Sequence, residues 1–123
     1  MEFDPLSKQI LGCAIEVHRT LGPGLLESVY EQALAYELIS NGLKIQAQLP
    51  VPVTYKAVKL DCGFRLDLVV EDRVVVEIKS VECLLPIHDA QLLTYLKLTG
   101  HTLGLLINFN VPLLKNGLKR FVL

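Results

Sequence analysis

Asp67, Glu77 and Lys79 are the residues of this sequence best placed to act together chemically. They lie on two apolar runs, Phe64–Val70 and Val74–Lys79, separated only by Glu71-Asp72-Arg73. Three residues are a common length for a β-hairpin connection. Pairing Val70 with Val74 sets Leu68 against Val76 and Leu66 against Ile78, which gives one wholly apolar face. A slip of one residue would put Asp67 opposite an apolar partner, so the pattern selects this register. The other face then carries Asp67 opposite Glu77 and Arg65 opposite Lys79. Directly opposed side chains have Cβ atoms ~5 Å apart, where two carboxylates repel. A hard divalent cation offsets that repulsion, since Mg²⁺ takes one or two carboxylates together with waters and phosphate oxygens. Lys79 points to the same side as Glu77 and can reach the same place. The four charges are equally compatible with a solvated surface network.

Two helical stretches add candidates. His88, Gln91 and Tyr95 recur at three- and four-residue spacing and share one helix face, as does any solvated helix stripe. Glu27 and Tyr30 are three apart, and Glu27 falls in a first helical turn, where the dipole favours a carboxylate and ordinary acidic residues are common. His18, His88 and His101 are too dispersed to read as zinc ligands, and no Ser-His-Asp or Cys-His arrangement competes. His18 reads as a capping or packing residue in preference to a substrate contact.

The elements that must hold these side chains follow from patterning. Asp4-Pro5 starts a helix with a capping side chain and a proline at its first position. Leu6, Ile10, Cys13, Ala14, Val17 and Leu21 continue at helical spacing until Gly22-Pro23-Gly24. A second helix is predicted from Leu25 to about Ser40, ending at Asn41-Gly42. Ile45, Ala47 and Leu49 alternate with Gln46 and Gln48 as a strand with one wet face. Pro50 and Pro52 suggest an edge or a break. Val53–Tyr55 and Val58–Leu60 read as short strands around a turn near Lys56-Ala57. After the hairpin, a helix is predicted over Ile87–Thr99 and a doubly buried strand over Leu103–Phe109. Lys115–Leu123 reads as a last edge strand. This order is that of an α/β or α+β sheet with helices packed on it.

At 123 residues the chain is sized for one domain, 1–123, with enough length for a core without staples. A net charge of −1 argues against a generally basic nucleic-acid coat but not against a nuclease with a local cleft. Cys13, Cys62 and Cys83 are single and odd in number, which fits reduced thiols in the cytosol better than a disulfide framework. No apolar run is long enough to span a bilayer, and Asp4 and Lys8 interrupt the first apolar residues as no signal peptide would. A soluble, cytoplasmic protein is expected.

Asp67 followed by Glu77-Ile78-Lys79 resembles the PD-(D/E)XK nuclease signature. Gly24-Leu25-Leu26-Glu27-Ser28-Val29-Tyr30 matches the motif that names the GxxExxY protein family, and Gln91 with Tyr95 looks like the helix motif of the RecB-like branch. The stretches His18–Gly24 and Ile107-Asn108-Phe109 are also family-like, and the similarity runs from about Ile10 to Arg120. Leu66 stands where the proline of the signature often precedes the aspartate. The resemblance implies a restriction-endonuclease-like core, a mixed β-sheet flanked by helices in αβββαβ order, with an extra N-terminal helix. It also implies that Asp67, Glu77 and the Ile78 carbonyl ligate Mg²⁺ or Mn²⁺, and that Glu27 completes the shell directly or through water. Lys79 would orient or deprotonate the attacking water and steady the developing phosphorane. Gln91 and Tyr95 would position the scissile phosphate or Lys79.

The expected activity is metal-dependent phosphodiester hydrolysis, with DNA as the substrate and a homodimer as the assembly. The rival reading is a nuclease-fold module, weak or inactive in turnover, that binds nucleic acid or a protein partner.

Overall fold

A computed structural model describes residues 3–61 and 64–123; Cys62 lies outside the described residues. Helix α1 (Pro5–Leu21) begins where Asp4 Oδ2 accepts from the Ser7 amide at 3.0 Å, with Pro5 in the first turn. It ends at Gly22, whose φ of 70° a side chain would strain. Helix α2 (Glu27–Ser40) follows and closes at Asn41-Gly42.

Five strands form the main sheet in the order β1-β4-β5-β6-β7: β1 (Ile45–Pro50), β4 (Arg65–Val70), β5 (Val74–Lys79), β6 (Leu103–Asn108) and β7 (Leu118–Val122). β4 runs antiparallel to both of its neighbours, β1 and β5; β5 and β6 are parallel, joined through helix α3 (Pro86–Thr99); β7 returns antiparallel along β6. β2 (Val53–Tyr55) and β3 (Val58–Leu60) form a separate hairpin around Lys56-Ala57, beyond the point where Pro50 and Pro52 end β1. The predicted αβββαβ order is therefore carried by α2, β1, β4, β5, α3 and β6, with α1, the hairpin and β7 added.

The sheet is covered on both faces. Leu6, Ile10, Ala14 and Val17 of α1 and Tyr30, Leu34 and Leu38 of α2 pack on Leu68, Val70, Val74, Val76, Ile78, Leu105 and Ile107. On the other face Leu92 and Leu96 of α3 pack on Leu66, Val69, Val75 and Leu106. The near-continuous apolar sequence of β5 and β6 follows from this double coverage.

Two expectations need correction. Leu66 is expected on the same face as Leu68 and Val70, but it belongs to the α3-side core: the ladder with β5 stops at Leu68, and the alternation of faces along β4 breaks between Leu68 and Leu66. Lys115–Gly117 is not strand: a 3-10 turn over Leu114–Gly117 precedes β7. A Cβ on Gly117 would lie 2.2 Å from the Asn108 carbonyl oxygen, so the chain passes there at a distance only glycine permits.

Candidate active site

The hairpin register is the predicted one for Val70↔Val74, Val69↔Val75 and Leu68↔Val76, and there the ladder ends. The turn that sets it has Glu71 and Asp72 at φ of 54° and 52°, with the Arg73 amide donating to Val70 O. The expected pairs Leu66/Ile78, Asp67/Glu77 and Arg65/Lys79 are not ladder pairs. Instead the strands part, and side chains occupy the gap. Asp67 Oδ2 accepts from the Ile78 amide at 2.8 Å, and the Asp67 amide points to Glu77 Oε1 at 3.4 Å. The two acids thus meet in a notch between splayed strand ends.

Glu77 is 6% exposed and Asp67 is half-buried. Burial, then the Asp67 charge, pushes the Glu77 carboxyl up to about 8 against the opposing pull of Lys79. Burial also raises Asp67, although the Ile78 N–H and Lys79 favour its charged form. Lys79, half-buried at the end of β5, is thus within electrostatic reach of both acids. Among the described residues no salt bridge neutralises either acid, and no group of three or more His, Cys, Asp or Glu is arranged to hold an ion. The donor set still suits a hard cation: two carboxylates, oxygen ligands only, with a buried like-charge repulsion for the cation to relieve.

Glu27 approaches from the first turn of α2. Its Oε2 lies 3.4 Å from the Ser80 amide, one residue beyond Lys79, and its charge raises both Asp67 and Glu77. The loop before it is fastened on two sides. Ser80 Oγ donates to Leu25 O, and the Tyr30 hydroxyl donates to Gly22 O at 2.6 Å while accepting from the Leu25 amide at 3.1 Å. Tyr30 is fully buried and stacked on Phe109 at 4.6 Å, so it anchors the glycine loop rather than facing the notch. Asn108, also buried, holds the segment after Lys79: it accepts from the Val81 amide and donates to Val81 O. Sequence reasoning met Asn108 only as part of a family-like stretch.

From α3, Gln91 and Tyr95 are half-buried on one helix face. The Tyr95 ring lies on Phe64 at 4.1 Å, and burial, then Glu77 and Asp67, raises its phenol. His88, grouped with them by spacing, instead accepts from the Leu85 amide at 2.9 Å and so caps α3. His18 packs as expected, 2.7 Å from Val111 O.

Two residues of the site were missed. Glu31, one turn after Glu27, and Gln48 of β1 line a cleft of about 410 Å³ together with Glu27, Ser28, Asp67 and Ile78. Glu31 sits at i+4 from Glu27, which could have marked it as sharing that helix face. No local signal marks Gln48.

Residues 4–121 match the family model described as the PD-(D/E)XK nuclease superfamily. No curated protein and no solved structure matches the chain. The family match takes in both helices of the first core face, the splayed acid pair with its lysine, and the Gln91–Tyr95 helix, and the chain belongs to the PD-(D/E)XK nuclease superfamily.

Proposed function

We propose that this protein is a divalent-metal-dependent phosphodiester hydrolase that cleaves DNA, of the GxxExxY and RecB-like kind. The observation that carries the reading is the pair of acids without a salt-bridge partner among the described residues, Asp67 and Glu77, gathered beside Lys79 where the two strands part. The superfamily generally hydrolyses phosphodiesters, which agrees with that chemistry. Asp67, Glu77, the Ile78 carbonyl and Glu27 would hold Mg²⁺ or Mn²⁺. Such an ion lowers the pKa of a bound water and screens phosphate charge.

The side chains supply the rest. Asp67 and Glu77 present carboxylate oxygens from a fixed backbone, because the Ile78 N–H holds one of them. Lys79 offers a mobile cation to orient the attacking water and to meet the charge growing on phosphorus. Tyr95, its phenol held protonated by burial and nearby acids, acts as a hydrogen-bond donor to the phosphate, with Gln91 beside it on the same face. Lys59, Arg65 and Phe64 line an adjoining groove of about 560 Å³, and Phe64 touches Tyr95, which supports a polymeric phosphodiester lying along this side.

Among the described residues no helix is long and apolar enough to cross a membrane. Cys13 and Cys83 are free thiols, in keeping with a cytoplasmic setting. Purified protein with Mg²⁺ or Mn²⁺ is expected to cut DNA, and Lys79→Ala to abolish cutting while melting as wild type does. Failure of both metals on single-stranded, duplex and branched DNA and on RNA would overturn the enzymatic reading in favour of a binding module.

A further inference from the structure

Gln48 lies in the middle of β1, yet its φ is 53°, a region a non-glycine side chain seldom enters. It sits between the ladder pairs Ala47↔Leu68 and Leu49↔Leu66, at the position facing Asp67. Nothing in its own sequence requires that conformation; its neighbours do. Arg65 Nη1 donates to the Gln48 carbonyl at 3.3 Å, and Gln48 Nε2 donates to Glu31 Oε1 at 2.5 Å. The same side chain favours the charged form of Asp67, while the Asp67 charge bears on Glu31. Backbone strain persists only where the surroundings over-determine it, and it gathers at functional sites.

We infer that Gln48 is a positioning residue: its left-handed backbone and its anchor on Glu31 place an amide between two carboxylates, and that amide fixes the Asp67 carboxylate for cation binding. This rests on the proposed reading of the notch. Asp67 is then held from both sides, by the Ile78 N–H across the gap and by Gln48 across β1. Partners of this kind, outside the ligands themselves, change metal affinity by ~10–100-fold. Glu31 acts through its acceptor oxygen, as the post on which the amide hangs.

The test separates strain from function. Gln48→Gly removes both the amide and the backbone strain. In EDTA it is expected to unfold at the same or a higher urea concentration than wild type, yet to bind Mn²⁺ about ten-fold more weakly by calorimetry. Its kcat on DNA should fall while KM holds. Glu31→Leu should reproduce the loss of Mn²⁺ affinity, whereas Glu31→Gln, which keeps an acceptor, should restore it to near wild type. Wild-type Mn²⁺ affinity in Gln48→Gly overturns the inference. So does an equal loss in Glu31→Gln and Glu31→Leu, which would make Glu31 act by its charge. If the wild-type protein itself binds no Mn²⁺, the reading of the notch fails first and the inference falls with it.

Discussion

Glu77→Gln should make the metal-free protein more stable, by an amount that grows with pH. The Glu77 carboxyl titrates near 8 in the folded chain and at 4.5 in the unfolded one. Between those values the folded state keeps a proton that the unfolded chain has released. Stability therefore falls as pH rises through this window, at ~1.4 kcal/mol per pH unit. At pH 5 the loss is below ~1 kcal/mol; at pH 7 it is ~3 kcal/mol; above pH 8 it levels off near ~5 kcal/mol. Glutamine fills the same volume, carries no charge, and keeps an oxygen to accept from the Asp67 amide. Urea unfolding in EDTA at pH 5, 7 and 8.5 reads the effect directly. The variant should match wild type at pH 5 and exceed it by ~3 kcal/mol at pH 7, with nuclease activity lost. A variant no more stable than wild type at pH 7, or a gain independent of pH, would refute the reasoning that burial and Asp67 together strain this carboxylate.

Asp4 gives the opposite pH dependence. Burial raises its carboxyl, but bonds from Ser7 and Arg120 outweigh that and hold it at about 2. The stabilisation it brings, ~2 kcal/mol, is present above the unfolded value of 3.8 and is lost as pH falls toward 2. Asp4→Asn should lose most of that at pH 7 and show a flatter acid limb, measured by urea unfolding at pH 7 and pH 3. Gly117→Ala should cost ~2–3 kcal/mol, because the added methyl meets the Asn108 carbonyl oxygen, a backbone atom that cannot swing aside; thermal melting checks it. Tyr36 and Ile39 of α2 are 70% and 60% exposed, and a homodimer covering them is the expected assembly; a monomer mass by light scattering would contradict it.

The register of the central hairpin was legible because the short Glu71-Asp72-Arg73 connection sets Val70 against Val74, and a one-residue slip would have put Asp67 opposite an apolar partner. The end of that register was not legible. It depends on the Asp67 carboxylate taking the Ile78 amide, a bond between side chain and backbone that no alternation reports. Pro50 and Pro52 announced the end of β1, and Lys56-Ala57 the turn of the outlying hairpin, since both act locally. Gln48 read only as part of a wet strand face. Its role comes from Glu31 and Arg65, each 17 residues away in sequence and brought together by the fold. Tyr30 was visible as a spaced motif residue, but its hold on Gly22 and Leu25 required the loop to fold back over it. Spacing alone put His88 with Gln91 and Tyr95; the bond it makes to the Leu85 amide places it at the helix start instead.

The claim on which the account stands is that one cation sits where β4 and β5 separate. A crystal structure at saturating Mn²⁺, read through the metal's anomalous signal, tests it most directly. The account predicts a single peak within ~2.1 Å of an oxygen from each of Asp67 and Glu77, absent in Asp67→Ala. A notch free of anomalous density, or a peak bound elsewhere on the surface, would contradict it.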